Sequence, residues 1–551
     1  MFDQKITDFN TESADSKDWV FLAHDQLNDG FSLLVGNRPI LLIENHRYFS
    51  RRPYHKQKLA LVLTNQREFA TEQAAKGRRV RYLITESTFA ESIIKSIDDL
   101  GAKSLTMMEA AEREMRAELS SLTANRDLKV VPHEGWLTNS DDMKAARTGN
   151  KWRMDRFYQH VRKRTGILME AGSPRGGKYS FDPDNREPWR GEPAAPTPPT
   201  FAVDDLKQAV LNLIAKRFAR HPGIIDESSL PASLEEVEQY WQWCLDNCME
   251  NFGPYEDAMS TKSTGIFHTR ISALMNLHRL LPSRVVHDVS ELDISLNSKE
   301  GFIRQVLGWR EFVYQIHRAT DGFRKLQATS CAERPGDGGY SNWSKEAWTE
   351  DTDSEPDPGV DGGACPDYFK ADNPLPAAYW GEKSGLNCLD TVVANVWAEG
   401  YSHHITRLMV LSNIATLLDL SPRELTDWFW IAYSDAWDWV VEPNVLGMGT
   451  HSTGDLMTTK PYVAGSNYIN KMSDFCAGCK FNPKKNCPIA RLYWAFLDRH
   501  RSKLEETRRL FMPLNSLAKR SDADKELDRK TFAICRKKLR DADVLVPEDF
   551  Q

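Results

Sequence analysis

Three cysteines stand in FCAGCKFNPKKNCP, where Cys476, Cys479 and Cys487 have the spacing C-x2-C-x7-C and Pro488 follows the last. A C-x2-C turn lets two thiolates converge on one metal centre, and a third a few residues later completes a facial set. Such a set needs a fourth ligand, for which Cys388, Cys365, Cys331, Cys535, Cys244 and Cys248 are available. On spacing alone, zinc and an iron–sulfur cluster are equally well served. A redox C-x-x-C pair would leave the third cysteine idle. Cys244, Cys248 and Cys535 fall on helical patterns and read as core. A second group is the adjacent pair His403 and His404. An imidazole titrates near neutral pH and can give or take a proton, although two neighbouring histidines more often mark a helix surface or cap. The chain also has 16 tryptophans, a high count that core packing explains for the most part.

The elements that must position these groups follow from the patterning of 551 residues. From Trp19 to about Pro132, short runs rich in β-branched and aliphatic residues (WVFLA, ILLIE, RRVRYLI, KSLTMME, LKVVP) alternate with helical stretches such as 56–76. Alternation of this kind builds βαβ units on a parallel sheet. No GxGxxG follows the first run, so a Rossmann dinucleotide site has no support. Between about 150 and 203 the chain turns basic and then Pro-rich, ending GEPAAPTPPT, which reads as an extended connector. Beyond Phe201 the patterns are helical: DLKQAVLNLIAKRFA, SLEEVEQYWQWCLDNCMENF, KEGFIRQVLGWREFVYQI and ELTDWFWIAYSDAWDWVV. The expected division is therefore an α/β domain over 1–140, a connector over 141–203, and an all-α domain over 204–551. Within the last, Gly, Pro, Ser and acids set off 328–368 as a mobile surface insertion.

Lys+Arg 71 against Asp+Glu 78 leaves a net charge of -7, which excludes a globally basic coat and confines any nucleic-acid contact to a local patch. With 41% hydrophobic residues, 27% charged and a mean hydropathy of -0.53, the chain builds large cores but no membrane span. The N-terminus lacks a secretory pattern, so a cytoplasmic, reducing location is expected, with cysteines free or metal-bound rather than paired.

Several motifs converge on one family. GWREF (308–312), FGPYEDAM (252–259), the histidine pair in GYSHHITRLMVL (400–411) and SDAWDWVVEPNVLGM (434–448) resemble the flavin domain of photolyases and cryptochromes. A finer resemblance, to the bacterial iron–sulfur branch that contains prokaryotic (6-4) photolyases, rests on KPYVAGSNYINKMSDFCAGC (460–479), LYWAFLDRH (492–500), GLNC (385–388) and GGKYSFDPDNR (176–186). DQL (25–27) and HKQKLALVL (55–63) are also similar to that branch. The resemblance implies a photolyase fold, an α/β antenna domain followed by an all-α FAD domain. It also implies that Cys388 joins Cys476, Cys479 and Cys487 on a [4Fe-4S] cluster.

What the family does with these positions becomes a set of expectations. Tyr255, His268, Thr269, Ile271 and Ser272 should lie along the diphosphate of a folded FAD, where hydroxyls and amides bind anionic oxygens. Gln305, Trp309 and Arg310 should line its adenine and ribityl side. Arg407 and Asp435 should pair beside the isoalloxazine. Six positions after Asp435, where the family places a polar residue facing flavin N5, this chain has Val441, which can neither donate nor accept a proton. Trp380 and Trp428 match the relay that brings electrons to the flavin. His403 and His404 match the (6-4) histidine pair, and Tyr462 and Met448 the wall of the lesion pocket.

The implied reaction is light-driven repair of (6-4) photoproducts in UV-damaged DNA by a monomer, with an imidazole as proton donor and the lesion taken out of the stack. Lys460, Lys471, Lys480, Lys484, Lys485 and Arg491 would form a basic neighbourhood for phosphates. Asp182 and Asp184 offer hard oxygens to Mg²⁺. Asp25, Gln26 and Glu44 sit at C-terminal ends of expected strands, where open α/β sheets bind ligands, and are the candidates for the family's 6,7-dimethyl-8-ribityllumazine antenna. The competing readings are a cryptochrome with the same cofactors, favoured by Val441 and the acidic insertion, and a zinc-stabilised helical DNA-binding protein.

Overall fold

The structure, a computed structural model, describes residues 17–125, 127–326, 332–333 and 361–551. Five strands form one parallel sheet: β1 (Asp18–Leu22), β2 (Ile40–Asn45), β3 (Val80–Thr85), β4 (Ser104–Met108) and β5 (Leu128–Val131). Their order is β3-β2-β1-β4-β5, with Val20 opposite Ile40 on one side and Thr106 on the other. All five aliphatic runs in the sequence are these strands. Every residue of β2 is buried, as a central parallel strand covered by helices on both faces requires. The order reverses between β1 and β4, and the crevice outside their carboxyl ends is where such sheets receive ligands.

Local chemistry sets the helices. Helix α1 (Lys56–Ala75) is capped by His55, whose Nδ1 accepts from Gln57 N. Helix α2 (Phe89–Leu100) opens on a Thr88/Glu91 capping box and closes at Gly101 with φ 59°, a left-handed position that glycine takes without strain. The connector is not extended throughout, because α3 (Met154–Thr165) lies inside it, burying Phe157, Tyr158 and Val161. Its polar composition hid a helix with one narrow apolar face.

The region beyond Phe201 is helical, including α4 (Asp205–Arg217), α5 (Leu234–Asn247), α6 (Leu296–Ile303), α7 (Glu311–Ala319), α8 (Asn387–Glu399), α9 (Pro422–Ala432), α10 (Asp438–Glu442), α11 (Pro488–Arg499) and α12 (Asp522–Arg540). Two stretches expected as single helices are interrupted. KEGFIRQVLGWREFVYQI passes through a π-helical segment, Arg304–Arg310, and ELTDWFWIAYSDAWDWVV breaks at Tyr433, which is extended at φ -116° and ψ 138°. Two further π segments occur at Arg407–Ser412 and Pro443–Gly449. Such wide turns cost hydrogen-bond geometry and gather at functional sites. Periodicity alone cannot locate them.

One apolar core runs through sheet and helices. Polar ties reinforce it: Arg279 clamps Glu72 at 2.9 and 2.7 Å, His55 N reaches Ile431 O at 2.7 Å, and Lys58 Nζ donates to Ala436 O. Most of the 328–368 insertion lies outside the described residues. At its described end, Asp361 pairs with Arg324 and, at 3.2 Å, with Arg113. Among the described residues, no helix is long and apolar enough to cross a membrane.

Glu44, at the end of β2, is fully buried and receives Arg67 through two bonds (2.8 and 2.7 Å), Tyr82 at 2.6 Å and His46 at 2.8 Å. Burial alone would raise its pKa, but these donors outweigh burial and bring it down to about 2. Because the folded value lies below the ordinary 4.5, the pair stabilises the fold above that pH, and its contribution disappears as pH falls towards 2. Arg67→Met should lower unfolding free energy by about 3–5 kcal/mol at neutral pH, since it strands a buried carboxylate. Urea denaturation should also show a weaker acid dependence in the variant than in the parent.

Candidate functional site

The break after α9 presents Asp435. Arg407 meets it through two parallel bonds of 3.0 Å, Ser272 Oγ adds a third at 2.6 Å, and Asn276 holds the Asp435 carbonyl at 2.9 Å. Arg407 is fixed in turn by Ser402 O at 2.7 Å and by the Tyr433 ring, 4.0 Å beneath its guanidinium. The expected pair thus exists, and Ser272 serves it rather than standing free. His268, Thr269 and Ile271 occupy an irregular segment in which Ile266 (φ 48°) and Arg270 (φ 57°) are left-handed. A β-branched residue there stores strain, and the Arg270–Glu399 bond of 2.6 Å pins the loop.

The three π segments converge on the same region. Gln305 donates to Glu256 at 2.6 Å, and Trp309 Nε1 donates to Asn444 at 2.8 Å, three residues beyond buried Val441. Glu256 also holds Asn185 at 2.9 Å and Arg304 at 3.3 Å. Tyr255 stacks on Phe267 at 5.5 Å. Arg310 departs from the expectation. Its guanidinium is directed to Glu311 (3.0 Å), Met275 O (3.3 Å) and the Trp136 face (4.2 Å), on the side of the sheet domain.

Three imidazoles meet beside Arg407. His268 and His403 stack at 4.4 Å with 8° between planes, and His404 lies 5.4 Å from His268 at 69°. Burial, then the neighbouring imidazoles and Arg407, push the pKa values of His268 and His403 well below 6.5, so both are neutral. His268 Nε2 and His403 Nδ1 are buried and have no hydrogen-bond partner among the described residues. His404 is half-exposed, with Nε2 3.7 Å from Asp257 Oδ1. Asp257, which sequence reasoning did not single out, also faces Arg186 at 3.7 Å and the Tyr468 hydroxyl at 3.4 Å. Tyr462 and Met448 are partly exposed. Asp182 is taken by Arg186 and faces Arg304 at 3.6 Å, and Asp184 pairs with Lys178 at 2.7 Å, so the two aspartates do not converge.

Cys388, Cys476, Cys479 and Cys487 line one pocket, walled by Leu386, Ile469, Phe475, Phe481 and Ile489. Cys388 enters from the first turn of α8, Cys476 and Cys479 from the turn at Phe475–Gly478, and Cys487 from the cap of α11. Asn387 Nδ2 ties α8 to that turn through Phe475 O at 2.8 Å. Burial and the mutual proximity of the sulfurs push Cys388 well above its usual value and Cys476 to about 11. Four sulfurs converging among apolar walls are the donor set of a metal centre, whose positive charge would be what holds them as thiolates there. Cys244, Cys248 and Cys535 are core residues, as expected, and Cys331 lies outside the described residues.

Trp428 is fully buried and Trp380 partly so. Between them sequence reasoning missed Trp397, whose ring lies 5.9 Å from Trp428 and 5.7 Å from Trp380. Nothing in its helical pattern distinguishes it from a packing residue. At the sheet switch point, Gln26 bridges to Met108 O (3.0 Å) and Glu109 O (3.3 Å), and Asp25 Oδ2 accepts from Ala111 N at 3.3 Å. Asp25 Oδ1 and the Nε2 atoms of His133 and His278 are buried without partners among the described residues, and burial raises Asp25 to about 6. Glu44 is committed to Arg67.

The chain thus joins a doubly wound parallel-sheet domain to a helical domain in which Arg407 and Asp435 pair beside clustered histidines. A family model described as "Deoxyribodipyrimidine photo-lyase-related protein" matches residues 20–230. A (6-4) photolyase of Agrobacterium fabrum is 30% identical over 543 residues, 94% of this chain and 99% of the relative. A crystal structure of a bacterial class III photolyase from Agrobacterium tumefaciens superposes with a TM-score of 0.53 over 96% of this chain and 99% of that one; at 14% identity this likeness concerns the fold alone. An uncharacterized mimivirus protein is 39% identical over 66 residues, 12% of this chain and 54% of its own length. The chain belongs to the photolyase family, in its bacterial (6-4) photolyase-like branch.

Arg407 and Asp435 form a closed unit, so a double-mutant cycle with Arg407→Met and Asp435→Asn should return a coupling of about 1–3 kcal/mol by chemical denaturation. Additive losses would mean that each side chain is held by its other partners alone.

Proposed function

We propose that the chain repairs (6-4) photoproducts in UV-damaged DNA in a light-driven reaction, using FAD held by the helical domain. The observation that carries this reading is the pair of unlike histidines next to Arg407–Asp435, supported by the likeness to the Agrobacterium (6-4) photolyase along nearly its whole length. The residues present fit FAD. Strained backbone at 266–270, three π segments and the unpartnered nitrogens of His268 and His403 surround one site that offers donors and acceptors to a polar ligand. A bound reduced flavin supplies the photoexcited electron. Arg407 fixes Asp435 at the flavin's expected edge, Gln305, Trp309 and Asn444 orient the ligand, and Val441 keeps an apolar contact where a proton exchanger would otherwise sit. Arg310 serves the domain interface in this reading.

The two histidines divide the proton work. His403 is buried, neutral and stacked, and its free Nδ1 is suited to hydrogen bonding. His404 reaches the open side of the site, where the Asp257 carboxylate orients its imidazole and balances the charge of a proton held there. Tyr462 and Met448 supply a hydroxyl and an adaptable apolar wall for the extruded base. Arg186, Lys460 and Arg509 lie within electrostatic reach of Tyr462 or of each other and are placed to meet phosphates. The four-cysteine pocket fits a [4Fe-4S] cluster, and a lumazine antenna would lie at the Asp25–Gln26 end of the sheet, where Asp25 Oδ1 has no partner among the described residues. Mg²⁺ at Asp182 would require Arg186 to move away.

Purified chain should show flavin absorption on a broad iron–sulfur shoulder, and Cys388→Ser should lose iron and acid-labile sulfide. A colourless protein carrying stoichiometric zinc would overturn the cofactor reading. His404→Ala should keep most lesion binding, because phosphates supply most affinity, while repaired oligonucleotide per absorbed photon falls by at least about a hundredfold. A parent that photoreduces but repairs neither (6-4) products nor cyclobutane dimers would favour signalling.

A further inference from the structure

From the Arg407–Asp435 site a file of aromatic rings leads outward. Tyr433 lies under Arg407 and meets Trp428 at 6.0 Å. Trp428 meets Trp397 at 5.9 Å and 89°, and Trp397 meets Trp380 at 5.7 Å and 22°. Both Trp428 Nε1 and Trp397 Nε1 donate to one acceptor, the carbonyl of Tyr379, at 2.8 and 2.9 Å.

That shared carbonyl decides what these rings can do. An indole that loses an electron becomes a cation, and it stays one unless a base takes its Nε1 proton. A peptide carbonyl accepts a hydrogen bond but not the proton, and its dipole favours positive charge on both rings. The vacancy is therefore free to pass between Trp428 and Trp397. Tyr379 offers a competing bridge, since it touches Trp428 at 5.4 Å and precedes Trp380 in the chain. A phenol, however, must shed its proton to be oxidised near neutral pH. The Tyr379 hydroxyl donates to Leu411 O at 2.7 Å, which cannot take that proton, and burial pushes its pKa far up. Beside Trp397, His55 lies nearly parallel at 6.0 Å and 7°, its Nε2 3.1 Å from Trp397 O. Burial holds this imidazole near pKa 4, so at neutral pH it adds no positive charge next to an oxidised indole.

We propose that Trp397 is an obligatory electron carrier between Trp428 and Trp380 when the bound flavin is photoreduced. This step rests on the flavin reading above. Trp428 gives one electron to the photoexcited flavin, Trp397 returns one to Trp428, and Trp380 returns one to Trp397. A soluble thiolate refills Trp380 and is left as a thiyl radical, so one electron enters for each that leaves and no proton travels along the file. Trp397 extends from α8, whose first turn carries Cys388, so the same helix serves the relay and the cysteine pocket.

The test uses the full-length, flavin-loaded chain with a thiol reductant and the variants W397F, W380F and W428F. In W397F, the long-lived tryptophan-cation signal in transient absorption should fall by at least about tenfold, with flavin content in the dark unchanged. In W380F the vacancy should stop on Trp397, and pulsed EPR of the flavin–tryptophan radical pair should read a shorter separation than in the parent. A W397F yield equal to the parent's, with W428F inactive, would overturn the proposal and route the electron around Trp397. No effect in W428F would instead sink the relay assignment within the flavin reading. Should W397F fold poorly, seen as lost flavin and a lowered Tm, the W380F distance decides, since a separation unchanged from the parent's would exclude Trp397 as a carrier.

Discussion

The ion pair between half-buried Arg407 and buried Asp435 is the constraint around which the helical domain is arranged. Neither charge can be left alone in that environment, so each must be met by the other and by further donors and acceptors. Ser272, Asn276, Ser402 and Tyr433 answer that demand from four different parts of the chain. Continuous helices could not deliver these groups. Helix α9 ends at Tyr433 so that Asp435 can turn inward, and the helix carrying Arg407 widens into a π segment. The deviations from regular structure are thus where the binding geometry is made.

The two histidines show how the same side chain acquires different chemistry within one site. His403 lies in the plane stack with His268, out of water and close to Arg407, and its burial keeps it uncharged. One residue later the chain emerges, and His404 meets Asp257 on its open side while keeping an edge contact with His268. Asp257 is itself shared with Arg186 and Tyr468, which links the histidine pair to the end of the 182–186 segment and to the helix that precedes the cysteines. The histidine pair, Arg186 and the helix before the cysteine pocket are therefore neighbours in one network.

The sheet domain joins this arrangement through contacts that are as buried as those within either part. His55 caps α1, stacks on Trp397 and reaches the end of α9, and Lys58, one turn on, points its ammonium at Ala436 O, next to Asp435. A lysine so placed is pulled by burial down to about 7. The helix that covers the sheet is thus also a wall of the Arg407–Asp435 region, and Arg279–Glu72 locks the same two bodies at another point.

The strands were legible in the sequence because a parallel strand buried on both faces, as β2 is, must be a short run of apolar residues, and the part-exposed edge strands β3 and β5 keep β-branched and aliphatic residues between helical stretches. Cys476, Cys479 and Cys487 were legible because ligand spacing is local, and Arg407 with Asp435 because their flanking motifs resemble a known family. The fourth cysteine could be named only through that resemblance; its place opposite the other three follows from α8 docking on the Phe475–Gly478 turn. Trp397 carried no mark in the sequence, since a tryptophan on a helix is common, and Asp257, though inside the FGPYEDAM motif, had no role of its own there; what distinguishes them is the ring or imidazole brought alongside from a distant segment. Glu44 and Arg310 show the converse. Glu44 stood where the strand pattern suggested a ligand and Arg310 where the family resemblance did, but Arg67 and Glu311 reached them first, because a buried charge is met by whatever opposite charge the tertiary structure places within reach. Sequence by itself determined the elements and the chemical types available; only the tertiary structure decided which of them would be partners, since pairing energies depend on distances that no local spacing sets.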